Sequence, residues 1–299
     1  MRIAVLGTGA LGCLWAAHLA AHAEVWMLGT WAEGIAAIRQ QGITVHAPAG
    51  CWQACVSVAA TLDDAPPAEV VLTLVKSYQT ARAAQWAARI VAPDGLVVTL
   101  QNGLDNLPRL AAAVGHTRAI AGATAEGATL LAPGQVRHAG HGPTWLGARA
   151  ENTAAVEALA RLFTKAGFDA RVTDDVEGLL WRKAIINAAI NPLSALWRVP
   201  NGELLATNER RRLLAQLAQE AVDVARAQGI RALPEDPLAA VSAVCRATAA
   251  NRSSMLQDVE RGRPTEIDSI NGAIVHRGRQ LGIATPLNEA VWQLVRALS

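Results

Sequence analysis

The tightest constraint on this chain lies near its N-terminus. There the stretch RIAVLGTGALGCLWAAHLAAHAEVWML sets Gly7, Gly9 and Gly12 in the spacing G-x-G-x-x-G. In a chain rich in Gly and Ala the spacing alone is a weak signal; its context is what counts. It directly follows the apolar run Ile3–Leu6, opens a helical pattern from Ala10 to about His22, and is followed by a second apolar run, Glu24–Leu28. Strand, glycine turn, helix, strand is a βαβ unit, and inside one each glycine has a physical task. Gly7 permits the tight turn, Gly9 lets the backbone approach a pyrophosphate, and Gly12 lets helix and strand pack closely. The helix start adds free N–H groups and the positive end of its dipole.

The same stretch has the outline of a secretory leader. Residues 3–23 carry no Asp, Glu, Lys or Arg, follow Arg2, and end in an A-x-A triplet. Three glycines interrupt what should then be a continuous apolar helix, and His18 and His22 lie inside it. Strand, turn and helix is the reading we adopt. The end of the second strand is where such a fold meets a ribose: Asp or Glu there suits a 2′-hydroxyl, and Arg suits a 2′-phosphate. This chain has Gly29, Thr30 and Trp31, with Glu33 a turn later and Arg39 too far along the next helix. Neither signature is present.

Two further buried strands are expected at Val70–Val75 and Leu96–Leu100. The first runs into a loop with Lys76 and Gln79, the second into Gln101-Asn102-Gly103. Ligands of open parallel sheets sit beyond the carboxyl ends of strands. Lys76 and Asn102 are therefore read either as ligand contacts or as plain turn residues, and spacing leaves both open. Segments near Arg118–Thr124, Gln135–His138 and Thr144–Leu146 are expected to complete the sheet.

After KAGFDARVTDDVEG the β-rich runs vanish, and from about Asp174 the chain reads as helix after helix. The expected division is 1–172 and 173–299. The first long helix holds WRKAIINAAINPLSALW, in which Lys183, Asn187 and Asn191 recur every fourth residue among Ala, Ile and Leu. At about 100° per residue they fall along one drifting stripe. Buried amines and amides cost free energy unless something bonds to them. Asp174 or Asp175 is expected to cap this helix and Pro192 to kink or end it. The turn VPNGEL follows, with Asn201 at its tip. A partner set appears in ANRSSMLQDVERGRPTEIDSINGAIV. Asn251 and Ser254 are expected on one helical face, Gly262 and Pro264 stop that helix, and Glu266 falls in the first turn of the next, with Ile267, Ile270 and Ile274 on its apolar face. Spacing alone leaves two readings of Lys183 with Glu266: an inert ion pair, or an acid and an orienting carboxylate.

Bulk numbers exclude other classes. With 299 residues, 52% apolar and 17% charged, the chain is long enough for two cores and is not disordered. A net charge of +2 gives no strong pull toward nucleic acid or acidic membrane. Arg210-Arg211-Arg212 is read as a solvated helix face. Cys13, Cys51, Cys55 and Cys245 form no C-x-x-C pair, which favours a reduced, cytoplasmic setting. His138 and His141 stand three apart with no local carboxylate cluster, so no metal site is expected.

These residues resemble the ketopantoate reductase (2-dehydropantoate 2-reductase) family over essentially the whole chain. The likeness rests on GTGALG, Lys76 with Gln79, Gln101-Asn102-Gly103, WRKAIINAAINPLSALW with PNGEL, and NRSSMLQDVERGRPTEIDSINGAIV. It implies an α/β fold, a Rossmann-like dinucleotide-binding domain followed by an all-α domain, with substrate in the cleft between. The implied reaction is reduction of 2-dehydropantoate to (R)-pantoate with NADPH, on the route to pantothenate and coenzyme A. By the same resemblance Lys183 is the general acid and Glu266 binds and orients substrate. Asn187, Asn191, Asn201, Asn251 and Ser254 hold the substrate. Gly7, Thr8, Gly9, Ala10, Leu11, Gly12, Thr30, Lys76, Gln79, Asn102 and the backbone near Ala128 hold the dinucleotide. The family commonly has an Arg where this chain has Thr30, which keeps NAD beside NADP as the cofactor. Another 2-oxo acid on the same scaffold is the rival substrate reading, and a non-catalytic dinucleotide sensor is the rival of another class. The expected partner is a small molecule, with a homodimer as the assembly considered.

Overall fold

The computed structural model describes residues 1–298. The chain divides into two compact units. One comprises Met1–Gln101 and Asn106–Val176, the other Asn102–Asp105 and the chain from Glu177 onward.

The first unit starts with the βαβ unit that the glycine pattern demands: β1 (Arg2–Leu6), α1 (Ala10–Leu19) and β2 (Glu24–Leu28). Next come α2 (Ala32–Gln41), β3 (Ile43–Ala47), β4 (Gly50–Ala54), β5 (Ser57–Ala59) and β6 (Ala68–Thr73). Then follow α3 (Thr80–Ile90), β7 (Val91–Thr99), α4 (Asn106–Val114), β8 (Ala119–Thr124), β9 (Gly127–Ala132) and β10 (Gln135–Gly140). β11 (Thr144–Gly147), α5 (Thr153–Lys165) and β12 (Ala170–Thr173) close the unit.

Eight strands form one sheet in the order β12-β11-β8-β7-β6-β1-β2-β5. From β5 to β8 every neighbour is parallel, and β11 turns back antiparallel to β8. The winding reverses at β1, with β2 on one side and β6 on the other, which makes the end of β1 the switch point where such sheets bind ligands. Alternate side chains feed two cores, as a sheet covered on both faces requires. Ile3, Val5, Leu72 and Val98 join Leu14, Trp15 and Leu19 of α1. Ala4, Leu6, Val71 and Val97 join Ala83, Ala84 and Ala87 of α3 and Leu110 of α4. Trp15 is fully buried, stacked on Phe168 at 3.8 Å between centroids.

One expectation fails here. Gln135–His138 does not enter the main sheet; it lies in β10, within a separate four-stranded sheet ordered β4-β3-β10-β9. The cause is local: Pro133-Gly134 makes a two-residue turn that folds β10 back antiparallel onto β9. The segments 119–124 and 144–147 do join the main sheet.

The second unit is helical. It consists of α6 (Val176–Trp197), α7 (Asn208–Ala227), α8 (Pro237–Ala247), α9 (Ser254–Glu260), α10 (Asn271–Leu281) and α11 (Pro286–Arg296), with short 3₁₀ turns at Asn201–Leu205 and Ile267–Ser269. Asp175 sits directly before α6, at the position expected of a cap. Trp181, Ala184, Ile185, Ala188, Ala189 and Leu193 of α6 are buried in its core with Leu217, Ala221 and Val224 of α7 and Ile270 and Ile274 near and on α10.

Pro192 does not end α6, which runs through it for 22 residues in all. A proline inside a helix leaves the carbonyl four residues back without its N–H donor. That carbonyl belongs to Ala188, and the side chain of fully buried Asn271 donates to it at 2.9 Å. Asn271 also donates to Asn288 Oδ1 at 3.0 Å, and Asn288 in turn donates to Leu217 O and to Glu220. The helix continues because a residue far along the chain satisfies what proline left open.

Candidate functional site

The glycine turn carries the geometry each position was expected to supply. Gly7 has φ +124°, and a Cβ there would stand 3.0 Å from the Leu74 backbone. A Cβ on Gly12 would lie 2.0 Å from Gly7 O, so helix and strand touch where only hydrogen fits. A Cβ on Gly9 would meet nothing within 4 Å: open space at the first turn of α1, whose N-cap Gly9 is. A diphosphate fits that cradle, facing backbone N–H groups with no acidic residue in the first turn. Thr8 is buried beneath, against Gly29, while Ala10 and Leu11 begin α1 half-buried.

Beyond β6, Lys76 caps the 3₁₀ turn Ser77–Gln79, with Gln79 N bonding Lys76 O at 2.8 Å. Gln101, which the sequence reading did not place in the site, ties this loop to β7. Its Nε2 donates to Val75 O at 2.8 Å and Thr80 Oγ1 at 2.9 Å, and its Oε1 accepts from Thr99. Thr30, exposed just past β2, accepts from Arg82 of α3 at 3.3 Å. Arg39, by contrast, bonds Val58 O. Ala128 lies in β9 of the second sheet, opposite His138.

In the second unit the stripe of α6 meets its partners. Lys183 and Asn187 are half-buried and Asn191 is buried. Burial pushes the Lys183 amine down to about 8, while the nearby Glu266 carboxylate pulls it the other way. Glu266 is 6% exposed and accepts from Asn102 Nδ2 at 3.2 Å; Asn102 Oδ1 accepts from Asn187 at 3.5 Å, at the limit of a hydrogen bond. Amine, carboxylate and two amides thus form one cluster. Asn102 is held there by its own loop: Leu104 N bonds Ser269 O, and Arg277 grips Asp105 at 2.7 Å. Gly103 (φ +100°) passes so close to Ser269 O that a Cβ would stand 2.6 Å away.

The other amides sit differently from expectation. Asn251 and Ser254 do not share a helical face. Asn251 is exposed in the loop before α9, whose N-cap is Ser253, bonded to Leu256 N at 3.0 Å. Two serines in succession let the first take the cap, and the helix starts too late to include Asn251. Ser253 also donates to Ser194 of α6, which donates to Asn191 O. Asn251 O accepts from Asn201 N at 2.9 Å, so those two residues do meet, through the backbone. Asn201 is buried, its amide donating to Thr248, and its Oδ1 has no partner among the described residues, an acceptor that a ligand's hydroxyl would satisfy. Glu266 precedes a 3₁₀ turn rather than opening α10, which starts only at Asn271.

His138 and His141 have one carboxylate beside them that their local sequence does not show. Glu126, twelve residues before His138, is hydrogen-bonded to it across the β9–β10 hairpin, and the ligand atoms of all three lie within 4.8 Å of one another. Glu126 and His138 are both buried and satisfy each other. No helix among the described residues is long and apolar enough to cross a membrane.

A switch-point sheet with an open glycine cradle, joined in one chain to a helical unit holding a buried amine beside a carboxylate, defines a Rossmann-type oxidoreductase. Comparison with known proteins narrows the class. Residues 3–151 match the ketopantoate reductase PanE/ApbA family model and residues 175–299 its C-terminal model. The chain belongs to the ketopantoate reductase family. It is 37% identical to the 2-dehydropantoate 2-reductase of Halobacterium salinarum, covering 99% of this chain and 98% of that one. Among solved structures, a PanE/ApbA family ketopantoate reductase from Ralstonia eutropha superposes with a TM-score of 0.91 at 33% identity, covering 100% of this chain and 98% of that one. D-Mandelate dehydrogenase, in a ternary structure with NADH and anilino(oxo)acetate, superposes at 0.93 with 27% identity over 100% of this chain and 98% of that one.

Proposed function

We propose that this chain reduces 2-dehydropantoate to (R)-pantoate with NADPH, a step toward pantothenate and coenzyme A. The first unit binds the dinucleotide and the second holds the keto acid. The observation that carries the reading is the cluster of Lys183, Glu266, Asn102 and Asn187, with an amine that burial lowers to about 8.

Reduced nicotinamide, when bound, supplies the hydride to the C2 carbonyl carbon. Negative charge then gathers on the carbonyl oxygen, where the Lys183 ammonium stabilises it and donates a proton to form the hydroxyl. An amine lowered to about 8 gives up that proton more readily than an ordinary lysine. Glu266, held by Asn102, keeps the ammonium in place and offers an acceptor to the substrate's hydroxyl. Asn187, Asn191 and the open Oδ1 of Asn201 provide the remaining amides for a small polar acid, with Ser254 and Asn251 assigned by resemblance.

The test is loss of reduced-nicotinamide absorbance with ketopantoate, run in parallel with NADPH and NADH. Turnover is expected, and Lys183→Ala should lower kcat by about 10²–10⁴ while the variant still binds dinucleotide. Wild-type-like turnover in that variant would remove Lys183 from its role.

A second reading has a specific support. The fold likeness to D-mandelate dehydrogenase is as close as that to the reductases, and pockets discriminate apolar substituents by only about 1–3 kcal/mol per methylene. A different 2-oxo acid would then be the substrate. A panel of 2-oxo acids separates the two, since the true substrate shows the highest kcat/KM.

A further inference from the structure

From the contact between α3 and the end of β2, we infer that Arg82 reads the 2′-phosphate of NADPH, in place of an arginine at the end of the second strand. The inference rests on the dinucleotide reading of the glycine turn and adds the residue that selects the cofactor.

Rossmann-type sheets meet the adenosine ribose just past the second strand, and those that take NADP bring an arginine there. Locally this chain offers a hydroxyl, Thr30, and a carboxylate one turn later, Glu33. The carboxylate by itself would favour the unphosphorylated ribose. The structure supplies a cation from elsewhere. Arg82, in the first turn of α3, extends to Thr30, its Nη2 donating to Thr30 Oγ1 at 3.3 Å. β1, which carries the glycine turn, lies between β2 and β6, and α3 follows β6 in the chain. The guanidinium therefore reaches the ribose end from across the switch point.

Its surroundings suit a phosphate. Trp86, one turn further along α3, lies under the guanidinium with its ring centroid 5.7 Å from Cζ, which holds the planar fork in one orientation. A guanidinium has five N–H donors and Thr30 takes one, leaving others for a divalent anion. No carboxylate pairs with Arg82 among the described residues, whereas neighbouring Arg89 is committed to Asp63 and Arg39 to Val58 O. Thr30 then adds its own hydroxyl to the same anion.

The test is fluorescence titration of NADPH and of NADH into the full-length protein, without keto acid, for the wild type, Arg82→Ala and Arg39→Ala. The wild type should bind NADPH more tightly. Arg82→Ala should lower the ratio of NADPH to NADH affinity by about tenfold or more, the loss of one charge-assisted contact. Arg39→Ala, which removes the same charge without touching Thr30, should leave the ratio where it was. The inference is overturned if Arg82→Ala weakens both cofactors equally or neither, if Arg39→Ala shifts the ratio as much, or if the wild type binds NADH in preference. Failure of the wild type to bind either dinucleotide is a different result: it would sink the reading of the glycine turn itself.

Discussion

Lys183 is useful because of where its amine ends. An exposed lysine at neutral pH is almost fully protonated and a poor proton donor; burial lowers the amine to about 8, and Glu266 keeps the shift from going further. The sign of the pH dependence follows. Carbonyl reduction needs the protonated amine, so kcat should be full below pH 8 and fall as pH rises through about 8. Oxidation of the hydroxy acid needs the neutral amine and should rise over the same range. Opposite limbs in the two directions are the expected result of steady-state pH profiles, and a flat profile in both would mean another group moves the proton. Asn102 shows the limits of reading residues singly. It stands at the end of a strand of the first unit, where a cofactor contact was a natural reading, yet its amide bonds Glu266 and groups with the second unit.

At the scale of elements, α6 sets the problem and α10 answers it. The stripe Lys183, Asn187 and Asn191 requires the helix to hold its phase, yet Pro192 comes directly after the last of the three. Asn271 at the start of α10 takes up the Ala188 carbonyl and allows α6 to continue to Trp197. Removing that donor leaves a buried carbonyl unsatisfied, together with the Asn288 Oδ1 it also serves. Asn271→Leu is therefore expected to cost about 1–3 kcal/mol for each group stranded, read as a lower midpoint in urea. A midpoint equal to wild type would mean another group satisfies the Ala188 carbonyl. The α9 cap teaches a smaller lesson. The cap is Ser253, so α9 begins at Ser254, and Asn251, two residues before the cap, lies off the helix.

At the scale of the molecule, the glycine cradle predicts linkage. A ligand bound only by the folded chain stabilises it by about 2.7 kcal/mol at a hundred times its Kd. NADPH should thus raise the Tm in the wild type, and equally in Lys183→Ala, whose altered residue lies in the other unit. A Tm unmoved by either dinucleotide would contradict the cradle. Much of this architecture was legible in advance. Short continuous apolar runs marked β1, β2, β6 and β7, and the loss of such runs after about Asp174 marked the helical half. The second sheet was missed, although Pro133-Gly134 announced its hairpin, because a strand's own pattern does not say which sheet it joins.

What the sequence determined by itself was everything carried by a few consecutive residues. The glycine turn follows from sterics that a Cβ would violate, the strands from short continuous apolar runs, the helices from the spacing of their apolar side chains, and the polar stripe from the geometry of one helix. Tertiary structure alone decided the partners: Arg82 for Thr30 across 52 residues, Asn102 for Glu266 across 164, Asn271 for the Ala188 carbonyl across 83. The physical reason is that backbone periodicity acts within a turn or two. Which polar group answers another at long range is settled only when packing brings both out of water and leaves each with no alternative.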